Sequence, residues 1–329
     1  MSWLPLLLAD PSACLRWLVL RDLFGRPADD REMVELANLR QHDLQVVELL
    51  EQQEPDGSWH TGGRTTAGRS GSRVSLTAFS LAQLGYWGFD ATHPAVMRGA
   101  EYLFSQQQPD GSWLLSEEAA LTDGNSELPL KERYSMIPLQ TAFPLRGLAA
   151  CGYATDVRAE RAYEWLLAQR LPDGAWPTGV AAGVYGGVAE YRKLAHSRWG
   201  CRSNTTGVLI CLAFHPGRCT SEPARRAMHL LLERDTHELT SLGLEVARLV
   251  GAEPAHGLFT YFARFDLALV IDLCGRVGVS KNDPRLADLL EFILSLQGKY
   301  GLWESADWPQ AVRWLTFDLS RSLNRFSNQ

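Results

Sequence analysis

Residues 53–59 read QEPDGSW, and residues 107–113 read QQPDGSW. The phrase returns as QRLPDGAW at 169–176 and, worn down, as QGKYGLW at 297–303. Its glycines, Gly57, Gly111, Gly174 and Gly301, lie 54, 63 and 127 residues apart, and the last gap is about two repeats. A fifth copy is therefore expected near residue 237, where LLERDTHE keeps the helical lead-in but has neither Gly nor Trp. Each copy follows an amphipathic segment such as PAVMRGAEYLFSQQ or PRLADLLEFILSLQ, with apolar residues three and four apart. A more apolar segment comes after it, as in RVSLTAFSLAQLGYW. The unit is helix, Asp-Gly turn, helix. The β-branched alternation of strands appears nowhere at useful length.

Turn chemistry accounts for the phrase. A Gln closes one helix, the Gly accepts a positive φ, and the Asp bonds the backbone of the turn. The Trp packs back on the helix end, where its indole N–H pairs or its ring stacks on the Gln. The phrase reads as a staple between helices, not as a reacting group.

The apolar segments 12–25, 72–87, 135–152, 203–215, 259–278 and 310–326 are expected as inner helices. The more charged segments 32–53, 93–107, 156–169, 221–235 and 284–297 are expected as outer ones, with 238–250 as an extra or final partner. About six inner and six outer helices make an all-α fold, an α/α toroid, with residues 1–329 as a single domain. An open solenoid of helical pairs is the alternative, and inner helices this apolar favour closure.

Composition narrows the function. The 329 residues are 46% hydrophobic and 21% charged with a net charge of −6, so no basic stripe marks nucleic acid as a partner. Six cysteines stand without a CxxC pair and read as reduced, mostly buried thiols in a cytoplasmic protein. The opening MSWLPLLLADPSACLRW lacks a basic segment and is not read as a secretory signal. No apolar run is long enough to span a membrane, which leaves only peripheral contact with one open.

The Q-x3-G-x-W phrases between helix pairs resemble the QW repeats of squalene–hopene and oxidosqualene cyclases, and more broadly the prenyltransferase and squalene cyclase repeat superfamily. The resemblance runs from LRWLVLRDL to WLTFDLSRSL. It implies an α/α barrel around an apolar cavity that takes isoprenoid chains. The chain departs from the pattern in length, which suffices for one barrel where the triterpene cyclases have two. It also lacks their Asp-x-Asp-Asp acid motif and the Asp-Asp-x-x-Asp metal motif. The protein prenyltransferase zinc pattern fails too: Asp272 and Cys274 match its Asp-x-Cys, but no His follows His256. Cys201 with His256 and His196 is a looser zinc possibility, weaker than a buried free thiol. No cofactor is expected, with zinc or magnesium as the weak exception.

Carboxylates on apolar inner segments are the candidate chemistry. Asp266 lies in FTYFARFDLALVIDL, Asp22 in WLVLRDLFG and Asp318 in RWLTFDLSRS. A buried carboxylic acid can keep its proton and give it to an alkene or epoxide, the way cyclisation starts in the enzymes resembled. The competing reading is ion pairing with nearby arginines such as Arg264, Arg21 and Arg321. Trp17, Phe79, Tyr134, Phe143, Tyr261, Phe262, Phe265 and Trp314 are candidates for the wall of a cavity, where rings steady cations or simply fill the core. Two Gly- and Arg-rich segments, 60–73 with Arg64, Arg69 and Arg73, and 187–202 with Arg198 and Arg202, are expected at one rim, where they suit a diphosphate head group. The function expected is a terpene cyclase or prenyltransferase-like protein that acts on or binds an isoprenoid. A lipid-binding or interaction toroid that has lost the acid motif is the alternative.

Overall fold

A computed structural model describes residues 3–60, 72–114, 137–181, 183–233, 240–253 and 265–327. In chain order the first helices are α1 (Leu4–Leu8), α2 (Ala13–Asp22), α3 (Arg31–Leu39) and α4 (Leu44–Leu50). There follow α5 (Arg73–Tyr86), α6 (Pro94–Ser105), α7 (Pro138–Ala150), α8 (Val157–Ala168), α9 (Arg202–Phe214) and α10 (Glu222–Leu232). The last are α11 (Leu244–Leu249), α12 (Leu267–Val277), α13 (Pro284–Ser295) and α14 (Val312–Ser327).

The helices divide by what they bury. From Val74 to Gln83, and on α9 from Ser203 to Ala213, every side chain is buried. Such helices are stable only when enclosed on all sides. α6 instead buries one stripe, Ala95, Val96, Gly99, Ala100, Leu103 and Phe104, and turns its charged face outward. Ser12, Ser72, Asp156, Ser221 and Asp283 cap their helices by accepting from backbone N–H groups, and Pro opens α6, α10 and α13.

Inner helices pack in sequence: α5 on α7, α7 on α9, α9 on α12, α12 on α14 and α14 on α2. The ring of Trp17 on α2 then lies against Gly88 just past α5. This is the α/α toroid the repeats predict. Small residues set the spacing: a Cβ on Gly147 of α7 would stand 2.4 Å from the Ala78 carbonyl oxygen of α5. Free thiols help to join the same helices, with Cys151 Sγ donating to Leu81 O and Cys211 Sγ to Ala142 O, both at 3.1 Å. Five of the six cysteines are buried, as expected.

Three expectations need correcting. The outer segment 32–53 is not one helix, because it breaks at a 3-10 turn (Arg40–His42) before α4. Asp43 at that break caps α2 by accepting from Ser12 Oγ and the backbone N–H of Ala13 and Cys14. Of the segment 259–278, described from 265, the pair Phe265–Asp266 is strand and the helix begins at Leu267. And 238–250 supplies not an outer partner but α11, all six residues of which are buried. Strand pairing among the described residues is confined to two two-residue pairs, β1 (Val180–Ala181) with β2 (Val184–Tyr185), antiparallel, and β3 (Thr240–Ser241) with β4 (Phe265–Asp266), parallel. The position expected for a fifth staple falls at 234–239, outside the described residues.

Candidate functional site

The staples repeat atom for atom. The indole N–H of Trp59, Trp113, Trp176 and Trp303 donates to the carbonyl ten residues earlier, at Leu49, Leu103, Leu166 and Ile293. Their backbone N–H groups donate to Thr77, Thr141, Thr205 and Thr316 of the following inner helix. Gln53, Gln107 and Gln297 bond the turn glycine's carbonyl rather than stacking on Trp, and in the third copy Arg170 stands in their place. Gln53 and Gln107 also reach Ala95 O and Arg158 O at the start of the next outer helix. The four glycines have φ between +79° and +101°. The repeat is scaffold.

The barrel axis holds α11. Its Glu245 meets the Arg146 guanidinium of α7, and Arg248 lies 5.6 Å over the ring of Phe79 on α5. Gln83 Nε2 on α5 donates to Leu249 O at 3.1 Å, and Leu315 of α14 packs beside Gly243 at the helix start. One short helix thus touches α5 and α7 on one side and α12 and α14 on the other. The central cavity expected from the sequence is therefore filled here by the chain itself.

Asp266 is the correction with the most consequence. It does not lie in mid-helix projecting into a cavity; it is the N-cap of α12. Its carboxylate accepts from the backbone N–H of Gly243 at 2.8 Å, Glu245 at 2.6 Å and Ala268 at 3.3 Å, so it ties the starts of α11 and α12 together. Burial pushes its pKa up to about 6, against the pull of those three N–H groups. Burial raises Glu245 further, to about 8, while Arg146 falls to about 10 and stays cationic at neutral pH.

The other candidate acids follow the ion-pair reading. Burial pushes Asp22 up, but Arg21 at 2.5 Å and Arg321 at 3.6 Å outweigh it and hold its carboxyl below the usual range. Asp318 pairs with Arg321, and burial still raises it. Asp272 pairs with Arg276 at 2.6 Å and with Arg325, and these hold it well down despite burial.

The candidate wall and rim residues scatter. Trp17 is sandwiched by Arg21 and Arg40, at 4.5 and 4.1 Å, instead of facing the axis. Phe79 faces α11, Phe143 is buried on α7 a turn before Arg146, and Phe265 is buried in β4. Trp314 tilts against Tyr86 with ring centroids 5.7 Å apart. Tyr134, Tyr261, Phe262, Arg64, Arg69, Arg264 and His256 lie outside the described residues. Arg73 bonds Asp56, Arg198 stacks on Trp199, and Arg202 donates to Lys193 O, so these three form separate surface contacts. Cys201 is buried before α9, His196 sits at φ 59°, and no metal-ligand group occurs among the described residues.

Open space lies beside the C-terminal end of α11. A cavity of about 680 Å³ is bounded there by Gln83 of α5 and Trp87 just after it, Val250 and Ala252 after α11, and Trp314 of α14, with α4 and the residues before α2 opposite. Exposed His42 and Leu44 stand at its mouth. Sequence reasoning missed Gln83, Trp87, Arg146 and Glu245. The available signal was a polar residue inside an apolar run, as in SLAQLGYW or FPLRGLAA.

Comparison with known proteins bears on this arrangement. Residues 31–189 match the family model of the squalene-hopene cyclase C-terminal domain. Human lanosterol synthase is 32% identical over 151 residues, 45% of this chain and 20% of that protein. The squalene–hopene cyclase of Zymomonas mobilis is 29% identical over 136 residues, 41% of this chain and 19% of its own. The chain thus matches about a fifth of the length of these relatives. A crystal structure of a protein from Actinoplanes aligns over 96% of this chain and 90% of its own at 15% identity, with a TM-score of 0.45. Over residues 31–189 the chain is thus similar to the squalene-hopene cyclase C-terminal domain. Among the described residues no helix is long and apolar enough to cross a membrane.

Proposed function

We propose that this cyclase-like toroid binds an isoprenoid or similar apolar small molecule in the cavity beside α11, with Trp87 and Trp314 as its wall. The cavity carries the reading. It has the volume of a small-molecule site, and Leu44, Leu49, Trp87, Val250 and Trp314 give it an apolar body. Eight of its lining residues, from His42 to Trp87, fall inside the segment that matches the cyclase family model. Its lining includes the carboxylates Asp43 and Glu48 and neither Lys nor Arg, which disfavours a diphosphate there. Organic extraction of the purified protein followed by mass spectrometry should recover an apolar molecule of isoprenoid type. Trp314→Ala should lower its yield at least severalfold while the fold is kept. An extract with no such molecule, together with no binding of added isoprenoids, rejects the reading.

One observation favours turnover as a second reading: Asp266 is buried with a pKa near 6, in the range of a useful acid. Its proton would pass to an alkene carbon of the ligand, forming a C–H bond and leaving a carboxylate and a carbocation. That step needs α11 withdrawn, because its N-terminal N–H groups now hold both carboxylate oxygens. Asp266→Asn should abolish product while binding persists. An Asn variant that turns over normally removes Asp266 from the chemistry.

A further inference from the structure

Three residues that line this cavity each carry a buried polar atom without a hydrogen-bond partner. Gln83 gives its Nε2 to Leu249 O, which fixes the amide's orientation and leaves Oε1 unpaired. Trp87 has an unpaired indole Nε1–H, and Gln45 an unpaired Nε2. Gln83 and Trp87 are 3% and 2% exposed, so bulk water does not serve them. Leaving such groups unmet costs about 1–3 kcal/mol each, so a cavity lined by several is incomplete without an occupant. Gln83 near the end of α5 and Trp87, its C-cap, are four residues apart and so lie on one side of the helix end.

The set has a chemical signature. It offers one acceptor, Gln83 Oε1, and two donors, Trp87 Nε1–H and Gln45 Nε2–H. A hydroxyl group is its complement, with one hydrogen to donate and two lone pairs to accept. A ketone or ether would leave Gln83 Oε1 unmet. A phosphate has the same fault at Gln83 and would also face Asp43 and Glu48. We infer that the cavity takes a neutral apolar molecule bearing a single hydroxyl, an alcohol of isoprenoid size, with the hydroxyl seated between Gln83, Trp87 and Gln45 and the hydrocarbon against Leu49, Val250 and Trp314. This rests on the proposed function above and adds the polar end of the ligand to it.

The probes are farnesol, farnesene and farnesyl diphosphate, which share a chain and differ at its end. Titration followed by tryptophan fluorescence and calorimetry should show farnesol binding about tenfold more tightly than farnesene, and the diphosphate more weakly than farnesol. Gln83→Leu should erase the preference for the alcohol and leave farnesene binding as it was. Because Gln83 also holds Leu249 O, Trp87→Phe serves as the second variant: it removes only the indole N–H and should cut farnesol affinity severalfold. Equal affinity for alcohol and hydrocarbon overturns the inference while sparing the proposed function, and means that water satisfies the three atoms. Tightest binding of the diphosphate overturns it as well. Binding of none of the three overturns the proposed function and this inference with it.

Discussion

At the stapled turns each tryptophan makes the same two hydrogen bonds, its indole N–H reaching a carbonyl at 2.7–2.8 Å in all four copies. On the barrel axis nothing recurs: Arg146 meets Glu245 once, Gln83 meets Leu249 once, and Asp266 caps two helices at once. These tryptophan bonds lie within one repeat or join neighbours, and neutral partners make them. The axis joins elements up to 166 residues apart and buries charge to do so. Neutral short-range bonds are cheap to repeat, whereas a buried ion pair has to be fitted to one place. The two regions should therefore fail differently when cut.

The largest loss is expected from a staple. Trp113 is 1% exposed, and Trp113→Ala removes its ring and the indole hydrogen bond to Leu103 O while keeping the backbone N–H bond to Thr141. Chemical denaturation should show a loss of about 4–5 kcal/mol, the upper end for a large ring. Farnesol affinity per folded molecule should not change. Next comes the axis pair. Measured above pH 8, where Glu245 is ionised, Arg146→Leu strands its carboxylate and should cost about 3 kcal/mol, whereas Arg146→Leu with Glu245→Leu should recover most of it, since two apolar residues replace a desolvated pair. No recovery would mean that the axis relies on the ion pair itself. Thr141→Val keeps the shape of an inner helix but leaves the Trp113 backbone N–H unmet, for about 2 kcal/mol by the same assay.

The smallest effect is one of pH and belongs to the axis alone. Glu245 is raised to about 8 from an ordinary 4.5, so the folded chain keeps a proton that the unfolded chain has already released. Its contribution favours folding at low pH and is lost as pH rises through 8. Between pH 7 and 9 that loss is on the order of 1 kcal/mol. Glu245→Gln should remove this part of the slope, read as melting temperature against pH for both proteins. Parallel curves would show that Glu245 does not titrate there.

The staples were legible because their signals are local. Gln, Asp, Gly and Trp within seven residues state a turn, and four copies state a repeat. Their threonine partners were hidden in the same sequence, since the span from Trp to Thr varies while the contact does not. Asp266 was misread because FTYFARFDLALVIDL looks like one uninterrupted apolar helix. Asp before Leu-Ala-Leu-Val is also a helix-start signal, and that was the one that applied. Of α11, six residues carrying a Glu and an Arg three apart, the pattern says surface. Arg146 and Phe79, far away in the chain, help to make that face an interior one. The ion pairs of Asp22 and Asp318 could be anticipated because their arginines stand next to them or one turn away. The rim cavity could not, as its walls come from five separate stretches.

The threonine anchor has an evolutionary consequence. From each stapled tryptophan to its threonine the chain runs 18, 28, 29 and 13 residues. Both ends of every span are held by the same bond, so the ring does not register what is spliced between them. Lengthening such a span from 13 to 29 residues adds only about 0.7 kcal/mol of closure entropy. The exposed positions ahead of the inner helix in these intervals are thus places where new sequence can be grafted at little thermodynamic risk, and libraries randomised there should stay folded while those touching α11 do not.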